Sequence, residues 1–335
     1  MTLFLLTGLV LIGMLLLAGY LISRMPGQSH AGSSDPLTAN DLALRARLQS
    51  HVEMLAGTIG ERHMWRHDQL EQAAQYIENT LKINGLEPNS IHYQISGQTV
   101  RNIEAVIPGA TNPGESIVVG AHYDTVAGTP GANDNASGVA VLLELARACR
   151  NWTPERTLRF VAFVNEEPPF FKTAQMGSRV YSQFLQDQAV KVYGMLSLET
   201  LGYYTNAPQS QSFPLPLLRL FYPSRGNFLA FVGNLQSRKL LKDVIRDFRR
   251  AAALPSEGII APSWLTGIDW SDHWSFWTEG WPAVMVTDTA LFRYPYYHGK
   301  QDTPEQIDYT ALSRSTVGLA DVLAGLAGPM SAASN

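Results

Sequence analysis

Residues 3–22 form an uncharged run rich in Leu, Ile and Val. About 20 such residues span the hydrocarbon core of a bilayer. No Lys or Arg precedes the run, no small-x-small cleavage pattern follows it, and it exceeds the usual core of a signal peptide. It reads as an uncleaved anchor over 1–23, with a cleaved signal as the competing reading. Being apolar on every face, it does not fit a surface-packed core helix. Residues 24–36 have the Pro, Gly and Ser content of a linker. From residue 37 the apolar positions recur at helical spacing. Leu42, Leu44, Leu48, Val52 and Leu55 predict a helix from Asn40 or Asp41 through Ala56. Leu70, Ala73, Ala74, Ile77 and Leu81 predict a second, with Asp68 and Glu71 as a capping box and Gly85 as its stop.

Beyond Gly85 the period changes. Residues 91–95 and 100–107 read as strands, and 116–121 as a short apolar strand of the fully buried kind. Helices are expected over 137–148, 175–188, 240–253 and 309–326, and strands over 157–164, 192–198, 228–232 and 282–287. Strands alternating with helices imply the α/β class, here a three-layer α/β/α sandwich around a mixed, mostly parallel sheet. Residues 37–328 are expected to form one catalytic domain. Residues 205–227, rich in Pro, Ser and Gln, read as a loop that is either a functional rim or an insertion.

Composition narrows the picture. The chain has 335 residues, enough for one large domain, and its 45% hydrophobic content suits a sizeable core. A formal charge of -4 without a basic stripe argues against nucleic acid as a partner. The single cysteine, Cys149, excludes an intrachain disulfide and a Cys-rich zinc site, and it reads as a small apolar filler. Arg24 flanks the apolar run and weakly favours a cytoplasmic flank, which leaves orientation open.

The chemistry gathers at predicted strand ends. In an open α/β sheet, ligands collect at the carboxyl ends of the strands. His122, Asp124, Glu166, Glu167 and Glu199 all fall just past such ends. Zinc takes imidazole nitrogen and carboxylate oxygen, and a catalytic site keeps one position for water. His122 suits a ligand, and Asp124, two residues on, is placed to hold its other ring nitrogen. Asp134 lies in a Gly/Asn-rich turn that opens a helix, so it is either a ligand or an N-cap. Of the adjacent Glu166 and Glu167, one can bind metal while the other stays free as a base. A solvated strand end is the alternative, and the following Pro168-Pro169-Phe170-Phe171 argues against it. Ser271-Asp272-His273 and His298 through Asp302 and Thr303 supply the remaining candidates.

Together, His122-Tyr-Asp124, Asn133-Asp134-Asn135-Ala-Ser-Gly138, Asn165-Glu166-Glu167, Leu198-Glu199-Thr-Leu-Gly202, Ser271-Asp272-His273 and His298 resemble the M28 family of zinc peptidases, in the family's order and spacing over roughly 42–326. The resemblance implies a phosphorylase/hydrolase-like sandwich, a peptide substrate and two zinc ions. His122 and Glu199 would hold one zinc, Glu167 and His298 the other, and Asp134 would bridge them. Glu166 would be the general base, with Asp124 and Asp272 as outer carboxylates. The family often has Asp where this chain has Glu199, which leaves one zinc or two open, and His273 competes with His298 as a ligand. An aminopeptidase would anchor a free α-amino group through Glu166 and Glu199. Tyr203, Tyr204 and Tyr297, with Phe170, Phe171 and Tyr296, are candidates for its side-chain pocket. A carboxypeptidase would instead need arginines, for which Arg179 and Arg293 are candidates. Glutaminyl cyclases with one zinc, inactive ectodomains acting as receptors or scaffolds, and hydrolases of small amides are the other readings. The reading carried forward is a single-pass, membrane-anchored zinc aminopeptidase with an extracytoplasmic catalytic domain. The oligomeric state is not legible in the sequence.

Overall fold

The computed structural model describes residues 13, 17, 19–32 and 35–328. The expected anchor over 3–22 lies largely outside them. Among the described residues, no helix is long and apolar enough to cross a membrane. The stretch read as a linker is partly held on the domain, since the Arg249 guanidinium donates to the Pro26 and Gly27 carbonyls at 3.1 and 3.3 Å.

Helix α1 (Ala39–Val52) starts from Thr38, just before the expected cap. The Thr38 hydroxyl accepts from Asp41 N, and Asp41 returns a bond to the Thr38 amide. Helix α2 (His67–Ile83) has no side-chain cap. The expected Asp68–Glu71 box fails because Glu71 turns instead to Arg101, a buried cation that also binds Glu78 at 2.7 Å. A buried guanidinium wants carboxylates more than a helix start does. Gly85 ends the helix as expected, at φ +80°.

The sheet is built from β1 (Pro88–Ile95), β2 (Gln98–Ile107), β3 (Asn112–His122), β4 (Arg156–Phe163), β5 (Lys191–Glu199), β6 (Leu229–Gly233), β7 (Ser256–Ile260) and β8 (Ala283–Thr287). Their order is β1-β2-β4-β3-β5-β8-β6-β7. Strands β4, β3, β5 and β8 run parallel, and β6 and β7 run parallel to each other but against β8. The sheet is therefore mixed.

Side chains of successive strand residues point to opposite faces. Ile117, Val119 and Ala121 of β3 pack into the larger core with α1, α2, α3 (Gly138–Cys149), α5 (Arg238–Ala251) and α7 (Tyr309–Ala327). Val118 packs on the other face with Tyr181 and Leu185 of α4 (Gly177–Asp187) and Phe276 of α6 (His273–Thr278). This is the three-layer sandwich expected from the alternation. Among the described residues, one strand and one α-helix were not predicted. Strand β7 reads Ser-Glu-Gly-Ile-Ile, too polar for a buried strand, and it lies at the sheet edge. Helix α6 spans six residues, too few to show a helical period.

Candidate metal centre

The parallel strands β4, β3, β5 and β8 deliver their carboxyl ends to one edge of the sheet. His122 ends β3 and Glu199 ends β5, while Glu166 and Glu167 follow β4. All four are buried. Asp134 lies in the turn ahead of α3, and His298 on the segment that follows β8. One oxygen of Asp134 lies 3.2 Å from His122 Nε2, and the other lies 3.1 Å from His298 Nε2. Glu199 approaches His122 Nε2 at 3.4 Å, and Glu167 approaches His298 Nε2 at 3.5 Å. The result is two half-sites joined through one carboxylate.

The Asp134 loop is held by hydrogen bonds on every side. Asp302 accepts from the main-chain amides of Asn133 and Asp134 at 2.7 and 3.1 Å. The Asn135 amide group donates to the Leu198 carbonyl, and its oxygen accepts from Gly138 N and Thr200 N. Asn133 donates to Asp288 and accepts from Gly202 N. This answers the N-cap alternative for Asp134. Its side chain caps no helix N–H and points instead between the two histidines.

Asp124 sits differently from expectation. Its carboxylate accepts from the main-chain amides of Glu166 and Glu167, both at 3.1 Å. His122 Nδ1 faces the Asp124 main-chain carbonyl at 3.2 Å and the carboxylate at 3.5 Å. Asp124 thus orients the glutamate pair at least as much as the histidine ring. Glu199 is steadied at 2.7 Å by the Ser271 hydroxyl, which in turn meets Ser197 at 2.9 Å. Asp272 is fully buried, and burial foremost lifts its carboxyl to about 7. His273 stays out of the cluster. Its Nε2 faces the Ile268 carbonyl at 2.8 Å, its ring packs edge-on against Trp277, and burial pushes it down to about 4.

Sequence reasoning missed the group underneath. Arg62 is fully buried and donates to the main-chain carbonyls of Tyr123, Leu55, Gly60, Pro130 and Gly131. It ties the loop after β3 to the loop before Asp134 and places a cation beneath the acidic cluster. Burial lowers its guanidinium to about 10, while Asp124, Asp302, Asp134 and Glu167 oppose that shift. An isolated Arg between Glu61 and His63 gives no periodic or motif signal.

The donor set fits zinc. His122 Nε2, Asp134 Oδ1 and Glu167 Oε1 are buried and take no hydrogen-bond partner, and ligand atoms of these three residues lie within 4.8 Å of one another. Buried polar atoms without partners are costly, so such a cluster calls for a cation. Burial works against protonated histidines here, but the carboxylates overcome it. His122 is held well above its ordinary value, mainly by Glu199, and His298 is raised to about 10 by Asp134 and Glu167. Both rings therefore hold a proton more tightly than a free imidazole does in the metal-free protein, and a metal must compete with it. Zinc binding is expected to release protons and to tighten as pH rises from 6 to 9. Calorimetry in buffers of different ionisation enthalpy measures this, and proton uptake on binding would contradict the assignment.

Of the aromatic candidates, Tyr297 stacks on the His298 ring at 3.9 Å and lines a cavity beside Glu199. Tyr203 packs against Tyr294 instead, and Tyr204 against the main core; neither lines that cavity. Phe170 also packs on the core, while Phe171 and Tyr296 engage Lys172 and Tyr294. The loop over 205–227 is a rim. Its Gln211, Phe213, Leu218 and Tyr222 form one wall of the cavity. Both arginine candidates are committed elsewhere. Arg179 pairs with Glu279, and Arg293 is buried on Gln211 and on the Phe228 carbonyl.

The model of Peptidase family M28 matches residues 102–323. The chain belongs to peptidase family M28. Within that family of zinc metallopeptidases, a relative in Escherichia coli called "Uncharacterized protein YfbL" is 36% identical over 285 residues, 83% of this chain and 87% of that protein. The M28 fold is shared with a zinc aminopeptidase from Bacillus subtilis, at TM-score 0.60 and 16% identity, over 83% of this chain and 94% of that one. It is shared equally with a glutaminyl cyclase from Fimbriiglobus ruber, at TM-score 0.63 and 18% identity, over 88% of this chain and 98% of that one.

Proposed function

We propose that this M28 member is a zinc aminopeptidase with two metal positions. The observation that carries the reading is Asp134, whose two oxygens face two different histidines at 3.2 and 3.1 Å. His122, Glu199 and Asp134 would hold one ion, and His298, Glu167 and Asp134 the other. Bound zinc supplies a Lewis acid that activates water and polarises the scissile carbonyl. Asp124, Asp134, Glu167 and Glu199 make the histidine contacts, and none of the described ion pairs uses Glu166. Its carboxylate takes the proton from water and returns it to the leaving amine. Asp124 fixes the main chain that carries it.

Recognition of a free amino terminus fits the surroundings better than recognition of a terminal carboxylate. The acidic cluster attracts an ammonium group, and Arg179 and Arg293 are both tied up in the fold. The apolar cavity beside Glu199 and Tyr297 suits the side chain of the first residue. The apolar segment over 3–22 would tether the domain to a membrane with the catalytic part outside the cytoplasm.

A panel of aminoacyl p-nitroanilides, N-acetylated counterparts and a peptide with N-terminal glutamine tests the reading. Zinc-dependent release from the free-amino substrates alone is expected. Pyroglutamate formation without chain shortening would replace the aminopeptidase with a cyclase.

A further inference from the structure

The floor of the cavity beside the metal centre contains a charge with no role so far. Strand pairing sets Glu199 opposite Thr287, Thr287 opposite Ala230, and Ala230 opposite Glu257. Directly paired residues share a face, so these four side chains form one row across β5, β8, β6 and β7. All four line the cavity. A catalytic-centre carboxylate stands at one end of the row and an acid stands at the other, with two small residues between them. With strands ~4.8 Å apart, the three steps separate the ends by about 14 Å.

Glu257 is poorly matched to its own protein. Its side chain is 20% exposed, and among the described residues its one ion pair is to Arg249 at 3.8 Å. Arg249 is committed elsewhere, to the Ser256 hydroxyl and carbonyl and to the Pro26 and Gly27 carbonyls. Burial lifts the Glu257 carboxyl and Arg249 only partly opposes it. An under-paired carboxylate at the end of an apolar slot costs free energy unless a cation meets it there. Two other polar wall groups are occupied. Gln211 binds Arg293, and Thr287 meets Thr200.

We propose that Glu257 selects substrates whose N-terminal residue is lysine or arginine. This rests on the aminopeptidase reading and deepens it to a substrate class. An extended lysine or arginine side chain reaches roughly 6–7 Å from its Cα. The ammonium- or guanidinium-to-carboxylate contact adds roughly 3 Å. With its α-ammonium against Glu199, a contact of roughly 3 Å followed by ~1.5 Å from nitrogen to Cα, a basic substrate residue spans the row and ends at Glu257, whereas leucine stops over Thr287 and Ala230. The methylene stem of the basic residue would lie along the stacked Phe213 and Tyr222 rings, as long basic side chains do along apolar walls.

The test compares kcat/KM for lysyl, arginyl and norleucyl p-nitroanilides on the zinc-loaded enzyme and on Glu257→Gln. The wild type is expected to favour the basic substrates over norleucyl by about 10- to 100-fold, the worth of a charged hydrogen bond. Glu257→Gln should erase that ratio. L-arginine should inhibit the wild type more strongly than L-citrulline, a readout independent of the variant's folding. A wild-type preference for norleucyl, a ratio unmoved in Glu257→Gln, or equal inhibition by arginine and citrulline would overturn the assignment while leaving the aminopeptidase intact. Failure to cleave any of the three substrates would overturn both.

Discussion

Glu166→Gln is expected to lower kcat by about 10²–10⁴ while zinc content stays unchanged, because a positioned general base contributes a rate factor of that size. The separation of effects follows from geometry. His122, His298, Asp134, Glu167 and Glu199 are locked in mutual contacts, and Glu166 is outside them. The amide side chain keeps the shape and cannot take a proton. Glu166 also sits where a proton can be held. Burial raises its carboxyl well above the ordinary range, and although His122 works against this, Glu167 and Glu199 add to the rise. Stopped assays on Glu166→Gln with metal analysis of the same sample decide the matter. A variant with full turnover would remove Glu166 from the mechanism, and loss of zinc in parallel with activity would make it a ligand instead.

Arg62→Met should have the largest effect on stability. It takes the guanidinium donor from five main-chain carbonyls, of which Leu55 and Gly131 keep main-chain donors in Gly60 and Ala136. A buried acceptor left without its partner costs roughly 1–3 kcal/mol. It also removes the cation beneath Asp124, Asp134, Asp302 and Glu167. Breaking a buried charge arrangement typically costs about 3–5 kcal/mol. The expected loss is of that order in the metal-free protein. Denaturant unfolding measures it, and a change under about 1 kcal/mol would show that the guanidinium is dispensable. Arg62→Lys should recover only part of the loss, since an ammonium has three donors and cannot fork across both loops.

The strands that build the site were legible because they are buried on both faces and end in charged residues. The apolar run over 116–121 terminating at His122 is the clearest case. Helical spacing gave α2 and α7 nearly to their ends. Strand β7 was not legible, since an edge strand with glycine and glutamate at its centre carries neither an apolar run nor a clear alternation. Local chemistry misled at Asp68, where a capping pattern was outbid by Arg101 from a neighbouring strand. In the site, residue types and spacing indicated the histidines and carboxylates. They could not indicate Arg62 or Asp288 as supports, nor that Ser271 would steady Glu199, because such roles depend on which loops the fold brings together. The arginines proposed for carboxylate binding failed for the same reason, as each had found a partner in the folded chain.

Hydrolysis is expected to depend on zinc held by the pair of half-sites around Asp134. Zinc titrated into metal-free protein, with bound metal and hydrolysis of an aminoacyl p-nitroanilide followed together, should give no hydrolysis before metal is added and activity that rises to saturation at two ions per chain. Hydrolysis that persists in chelator, or zinc that binds without restoring it, would remove the zinc pair from the chemistry.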